Sequence, residues 1–133
     1  MKRIVNWRFV ACVTVLAFVC LALENFVSNN LLADMCGNTV IREVLSPEKG
    51  HKAVIFQRNC GATTGYSTQV SVLPARKILP NEGGNIFVVD EGDGDITVHW
   101  INLTQLKIIY DHRARIFNKQ TQYYLVSIVY EAR

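Results

Sequence analysis

The chain has 133 residues, half of them apolar, with 14 Lys and Arg against 11 Asp and Glu and a formal net charge of +3. That length allows one domain and little else. The apolar and aromatic content excludes a disordered or low-complexity chain, and no Gly or Pro period marks a fibre, so a packed core is expected.

The excess charge sits at the start. Lys2, Arg3 and Arg8 precede the first acid, Glu24, and bases and acids balance over the rest of the chain. Residues 1–8 are a basic lead, and Phe9 to Leu23 is an apolar run whose only polar member is Thr14. This is the pattern of an export or anchoring signal. The run is long for a cleavable signal and short of the roughly 20 residues that span a bilayer, but Phe26 and Val27 extend it past Glu24. Both outcomes stay open on length. The triplets Cys20-Leu21-Ala22 and Leu31-Leu32-Ala33 are poor cleavage sites, which favours an uncleaved anchor at 9–27. Bases ahead of the apolar run hold the N-terminus in the cytoplasm, so that everything after a linker at 28–35 is translocated. If the signal is cleaved, the product is secreted or periplasmic.

Residues 36–133 read as an exported β domain. Thr39 to Leu45 is β-rich, Ser46-Pro47-Glu48-Lys49-Gly50 supplies a tight turn, and Lys52 to Arg58 returns as a second strand. Thr68 to Leu73 alternates polar and apolar, the pattern of a sheet with one wet face. An irregular stretch with Pro74, Pro80, Gly83 and Gly84 leads to Ile86-Phe87-Val88-Val89 and then the acidic turn Asp90 to Asp95. Ile96 to Ile101, Leu106 to Tyr110 and Tyr123 to Tyr130 complete seven strands. Short strands at such regular spacing predict a mainly β fold behind one N-terminal transmembrane or signal helix. The β part is expected as a small antiparallel sandwich, open barrel or meander.

Cys12 and Cys20 lie in the apolar run, where Cys behaves as a small hydrophobe. Cys36 and Cys60 are the other two, and a pair in a small exported domain is most simply a disulfide, closing a loop of about 25 residues and worth roughly 3.5 kcal/mol in the chain-entropy model. A thiol enzyme would instead need a free Cys60 with His51, His99 or His112 as base. The stretch after Cys60 holds Gly61, Thr63, Thr64, Gly65, Tyr66 and Ser67. Its bare backbone N–H groups and hydroxyls can hold an anion, a sugar or a partner's main chain. The plainer reading, a disulfide-anchored connection between the second and third strands, is favoured over such a site.

The other chemistry is thin. Asp90, Asp93 and Asp95 are weak calcium candidates that do not follow the EF-hand order. No Cys/His cluster suits zinc, and no cofactor is expected. His99 and Trp100 are adjacent on a strand and face opposite sides, with the indole the better core residue. Arg113, Arg115 and Lys119 form a small basic patch on an otherwise neutral exported part, which argues against nucleic acid.

Two stretches, Ser46 to Phe56 and Val98 to Tyr110, resemble turn-and-strand units of a β-propeller blade, although a chain this short makes too few blades for a propeller. A second likeness reaches further. Cys36, the Ser-Pro-x-x-Gly-x-Lys-Ala-Val-x-Phe segment at 46–56, Cys60-Gly61-Ala62-Thr63-Thr64-Gly65 and Ser67-Thr68-Gln69-Val70-Ser71 together resemble a family of small bacterial envelope proteins classed as a domain of unknown function. The resemblance implies a bacterial, membrane-associated protein and brings no activity with it. The expectation is therefore a single-pass protein of the bacterial inner membrane whose periplasmic β domain binds another protein without catalysis, as an immunity or inhibitor protein or an accessory envelope subunit. The alternative is a small-ligand binder or hydrolase using the 60–68 loop.

Overall fold

The computed structural model describes residues 7–61, 65–90 and 95–133, with backbone only at 8, 9 and 24–34. The chain divides between Met35 and Cys36 into two compact units. The first contains α1, Trp7–Asp34. Its apolar residues run all round the helix rather than along one stripe, so no face is set aside for packing. Every described side chain from Val10 to Leu23 is exposed, and Thr14 turns its hydroxyl back onto the carbonyls of Val10 and Ala11. No helix among the described residues is long and apolar enough to cross a membrane. The expected linker at 28–35 is helical as far as Asp34. Extending a formed helix costs far less than starting one, which carries it through Ser28 to Asn30 despite their poor propensity.

The second unit is mainly β, with nine strands: β1 Gly37–Leu45, β2 His51–Asn59, β3 Tyr66–Pro74, β4 Phe87–Val89, β5 Thr97–Asn102, β6 Gln105–Tyr110, β7 Ile116–Lys119, β8 Gln122–Tyr123 and β9 Val126–Ala132. One sheet runs β1-β2-β3-β4-β7 and the other β5-β6-β9-β8. The first four strands are an antiparallel meander as expected, but the meander then breaks. β6 and β9 pair in parallel, Leu106 opposite Ile128, and a parallel pair needs a crossover. Here the crossover passes through β7, which pairs with β4 in the other sheet. The expected strand over Tyr123 to Tyr130 is in fact two, turned at Tyr124, whose φ is 48°.

Side chains from both sheets enter one hydrophobic cluster: Ala53 and Ile55 from β2, Val70 and Val72 from β3, Phe87 and Val89 from β4, Val98 from β5, Leu106 and Ile108 from β6, Val126 and Ile128 from β9. Three rings hold its centre, with Phe87 at 5.2 Å from Tyr110 and 5.3 Å from Tyr130. Trp100 packs against this cluster and donates its Nε1–H to the Val44 carbonyl at 3.0 Å, while His99 is exposed, as their alternation predicts.

The polar face of β3 is not wet. Gln69 and Ser71 are buried, because the connection between β3 and β4 folds back over that face. Leu79 packs on Val54, Phe56 and Leu73, so β2 is covered on both sides, which accounts for its unbroken apolar run. The connection is tied down strand-like. Gly84 donates its N–H to Gln69 Oε1, Asn85 N–H to Ser71 Oγ at 3.1 Å, and the Asn85 amide reaches both Val72 N–H and Val72 O at 2.9 Å. Asn38 donates to the carbonyls of Pro80 and Glu82. No buried side-chain polar atom among the described residues lacks a partner.

Gly84 is the residue this close approach requires. A Cβ there would lie 2.9 Å from Gln69 Cβ, 2.9 Å from the Phe87 carbonyl and 3.0 Å from the Val70 carbonyl. None of these is the loose end of a side chain. Gly84→Ala is expected to destabilise the domain by about 1–3 kcal/mol, read as a lower urea midpoint, whereas Gly50→Ala, which meets nothing within 4 Å, should shift it far less.

Tyr130 locks the crossover. Its hydroxyl donates to the Gln120 carbonyl at 2.6 Å, with the Ile86 carbonyl also in reach at 3.1 Å. Burial, and then the neighbouring Tyr110, push its phenol above the ordinary tyrosine range. A raised folded-state value means that stability is intact below the unfolded tyrosine pKa of about 10 and is lost as pH rises beyond it. Tyr130→Phe is expected to cost about 1–2 kcal/mol at pH 7. Thermal melts from pH 8 to 11 should also show a shallower alkaline fall than the parent's; an equal slope would remove Tyr130 as its source.

Candidate functional site

The ends of β2 and β3 place two concave surfaces far apart. At one end Asn59 pairs with Tyr66, at the other His51 pairs with Pro74.

The first end carries the stretch singled out by sequence. Cys36 and Cys60 form the expected disulfide, one position beyond the Gly37–Asn59 pair, and so pin the open end of the β1–β2 hairpin. Gly61 (φ 105°) and Gly65 (φ 65°) take backbone conformations that disfavour other residues. Gly61 donates its N–H to Asn59 Oδ1 at 2.9 Å, and Ser67 Oγ accepts from Gln69 Nε2 at 2.7 Å. Thr63 and Thr64 lie outside the described residues. Beside this stretch is a shallow cleft of about 340 Å³, lined by Arg58, Gly65, Tyr66, Ser67, Asp90 and Phe117 among others. Arg58 is held by Asn38 Oδ1 at 2.7 Å and Asn81 Oδ1 at 3.2 Å.

Several candidates come apart here. Cys60 is bonded, so it offers no thiolate, and His51 stands at the far end of β2. His99 is exposed on β5, and His112 Nδ1 meets the Arg133 carbonyl at 2.7 Å. Asp90 faces Arg115 at 3.8 Å and Asp95 faces Arg133 at 3.1 Å, so the two described acids of the turn go to arginines rather than to each other. Asp93 lies outside the described residues. No group of three His, Cys, Asp or Glu able to hold a metal occurs among the described residues.

The expected basic patch is largely neutralised. Arg113 pairs with Asp111 at 2.7 Å, and Arg113's side-chain and backbone hydrogen bonds hold the Asp111 carboxyl well below the usual range. Arg115 faces Asp90. Lys119 donates to Tyr110 Oη at 2.9 Å and stands 4.7 Å from the Tyr130 ring centre. Lys107 bonds Glu131 at 2.9 Å and lowers its pKa.

The second end was missed by sequence. A hollow of about 430 Å³ opens between the β2 and β3 ends and the β8–β9 turn, floored by Val72, Leu73 and Val126 and walled by Pro74, Tyr123, Tyr124 and Leu125. Tyr124 is 85% exposed and Leu125 82%. The left-handed backbone at Tyr124 turns the chain at this point. Ile78, 84% exposed, lies just beyond Lys77 of the hollow's rim. The apolar run over Tyr123 to Tyr130 looks like one strand, and no Gly, Asn or Pro marks the turn within it, so nothing in the sequence signals exposure.

No protein-family model, curated protein or solved structure matches the chain.

Proposed function

We propose that this is a membrane-anchored, exported protein-binding module with no catalytic role, acting as an immunity or inhibitor protein or an accessory subunit of a bacterial envelope complex. In this reading residues 9–27 anchor the chain in the inner membrane, the two sheets pack as a disulfide-tied sandwich in the periplasm, and the β8–β9 end meets the partner. The observation that carries it is the pair of nearly fully exposed large side chains, Tyr124 and Leu125, beside an apolar hollow. Large apolar groups next to a pocket are the build of an interface anchor. The basic lead, the apolar run and the exposed helix surface support the anchor and its orientation. The likeness to small envelope proteins supports the location.

A photo-crosslinking residue in place of Tyr124, in cells making the full chain, is expected to yield a discrete protein adduct. Leu125→Asp in the same chain should abolish it, and the same probe in place of the exposed Gln57 should give none. No adduct at Tyr124 overturns the reading. One observation favours the alternative, a small-ligand binder or hydrolase: the cleft that joins Tyr66 and Ser67 of the 60–68 loop to Arg58, Asp90 and Phe117. If the cellular phenotype of deletion is reproduced by Tyr66→Ala with Phe117→Ala and not by Leu125→Asp, the alternative replaces the first reading.

A further inference from the structure

Seven of the eleven Lys and Arg side chains of the β domain have partners. Lys52 pairs with Glu43, Lys107 with Glu131, Arg113 with Asp111, Arg115 with Asp90 and Arg133 with Asp95. Arg58 and Lys119 have hydrogen-bond partners in Asn38, Asn81 and Tyr110. Among the described residues, four have neither carboxylate nor hydrogen-bond partner for their side chains: Arg42, Lys49, Arg76 and Lys77. Three of these four lie on the two segments at the end of the sheet where the hollow opens. Lys77 lines it, Arg76 precedes it in sequence, and Lys49 sits in the β1–β2 turn, which the Ala75 N–H to Gly50 carbonyl bond of 3.0 Å fastens beside them. Glu48 is the only carboxylate on these two segments.

From this distribution we infer that the partner is an acidic and apolar protein segment, seating one large apolar side chain in the hollow against Tyr124 and Leu125 while its carboxylates meet Lys49, Arg76 and Lys77. The inference rests on the reading of this end as the protein-binding surface and adds the partner's chemistry. Unpaired surface cations beside an exposed apolar patch speed encounter with an acidic partner and select against a basic one. The concavity favours an inserted side chain over a flat lipid surface, because a hollow floored by three buried residues encloses a single anchor.

The test is a selection of random twelve-residue peptides displayed on phage against the full chain in a neutral detergent, with Leu125→Asp and Arg76→Glu/Lys77→Glu chains as counter-targets. Arg76 and Lys77 are exposed and their side chains bond to nothing described, while the Lys77 N–H bond to the Pro74 carbonyl at 2.9 Å is a backbone contact that the change leaves in place, so the double variant should keep the parent's melting temperature. Enriched peptides are expected to combine an aromatic residue or Leu with two or more Asp or Glu. As synthetic peptides they should lose about tenfold in affinity for the double variant, and weaken as salt rises. Peptides that need Leu125 but carry no acids, or that bind the double variant equally well, overturn the acidic partner and leave the protein-binding reading standing. If no peptide depends on Leu125, that reading fails as well. Binding to anionic lipid vesicles that is lost in Leu125→Asp, with no peptide enriched, assigns the surface to membrane and overturns both.

Discussion

Phe87→Ala is expected to cost about 3–5 kcal/mol, enough to lower the melting temperature of a domain this size by roughly 15–30 °C. Phe87 is wholly buried, and its ring is the one that meets both Tyr110 and Tyr130 at close to 5 Å. It comes from the first sheet and they from the second, so removing it opens a void at the junction that neither backbone can close by a local shift. The loss also frees the two tyrosines, and the near-UV circular dichroism should flatten along with the thermal transition. Aromatic pairs add about 0.5–1.5 kcal/mol beyond their buried area, which places this site at the upper end for a large-to-small change. A fall in melting temperature under about 5 °C would mean that the sheets do not depend on this junction.

The second large effect is that of Cys36→Ser with Cys60→Ser. The two residues are 24 apart in sequence, and opening that loop is expected to cost roughly 3.5 kcal/mol, a large share of the 5–15 kcal/mol typical of a domain. The bond ties the open end of the β1–β2 hairpin, so its loss frays that end and the cleft beside it. The hollow by His51 and Pro74 lies at the other end of the same strands. Below its lowered melting temperature, the serine variant should therefore keep the Tyr124 adduct. Alkylation of unreduced, denatured chain should modify Cys12 and Cys20, the two free cysteines, and leave the other pair untouched. Labelling at Cys60 without reductant would refute the bond.

Much of the β domain was legible because its signals are local. The hairpin turn at 46–50 announces itself through Pro47 and Gly50, β2 and β3 through apolar or alternating runs, and the disulfide through the scarcity of cysteines outside the apolar run. β7 was hidden because four residues, Ile116 to Lys119, preceded by Arg113 and Arg115 and followed by Gln120-Thr121-Gln122, look like a polar surface loop. Its pairing partner β4 lies some 30 residues earlier, and no local pattern encodes that pairing. The parallel β6–β9 pair was hidden for the same reason, since antiparallel neighbours are the default for closely spaced strands. The candidate sites divide along the same line. Gly61, Gly65, Tyr66 and Ser67 stood out by composition, and the fold adds Arg58, Asp90 and Phe117 beside them. Asp90 and Asp95, only weak calcium candidates by sequence, face Arg115 and Arg133 in the fold.

What the sequence by itself determined is what depends on short stretches and on composition: a basic, apolar leading segment, a mainly β remainder, two cysteines able to pair, and a remainder with balanced charge. Only the tertiary structure decided where that balance fails. Ion pairing is a matter of distance in space, and a count of 11 against 11 beyond the basic lead hides three unpaired cations at the end of the sheet where one apolar hollow opens. The same holds for exposure. Tyr124 and Leu125 look like core residues in any linear pattern, and one left-handed turn, imposed by β8 pairing back onto β9, puts them on the surface where a partner can reach them.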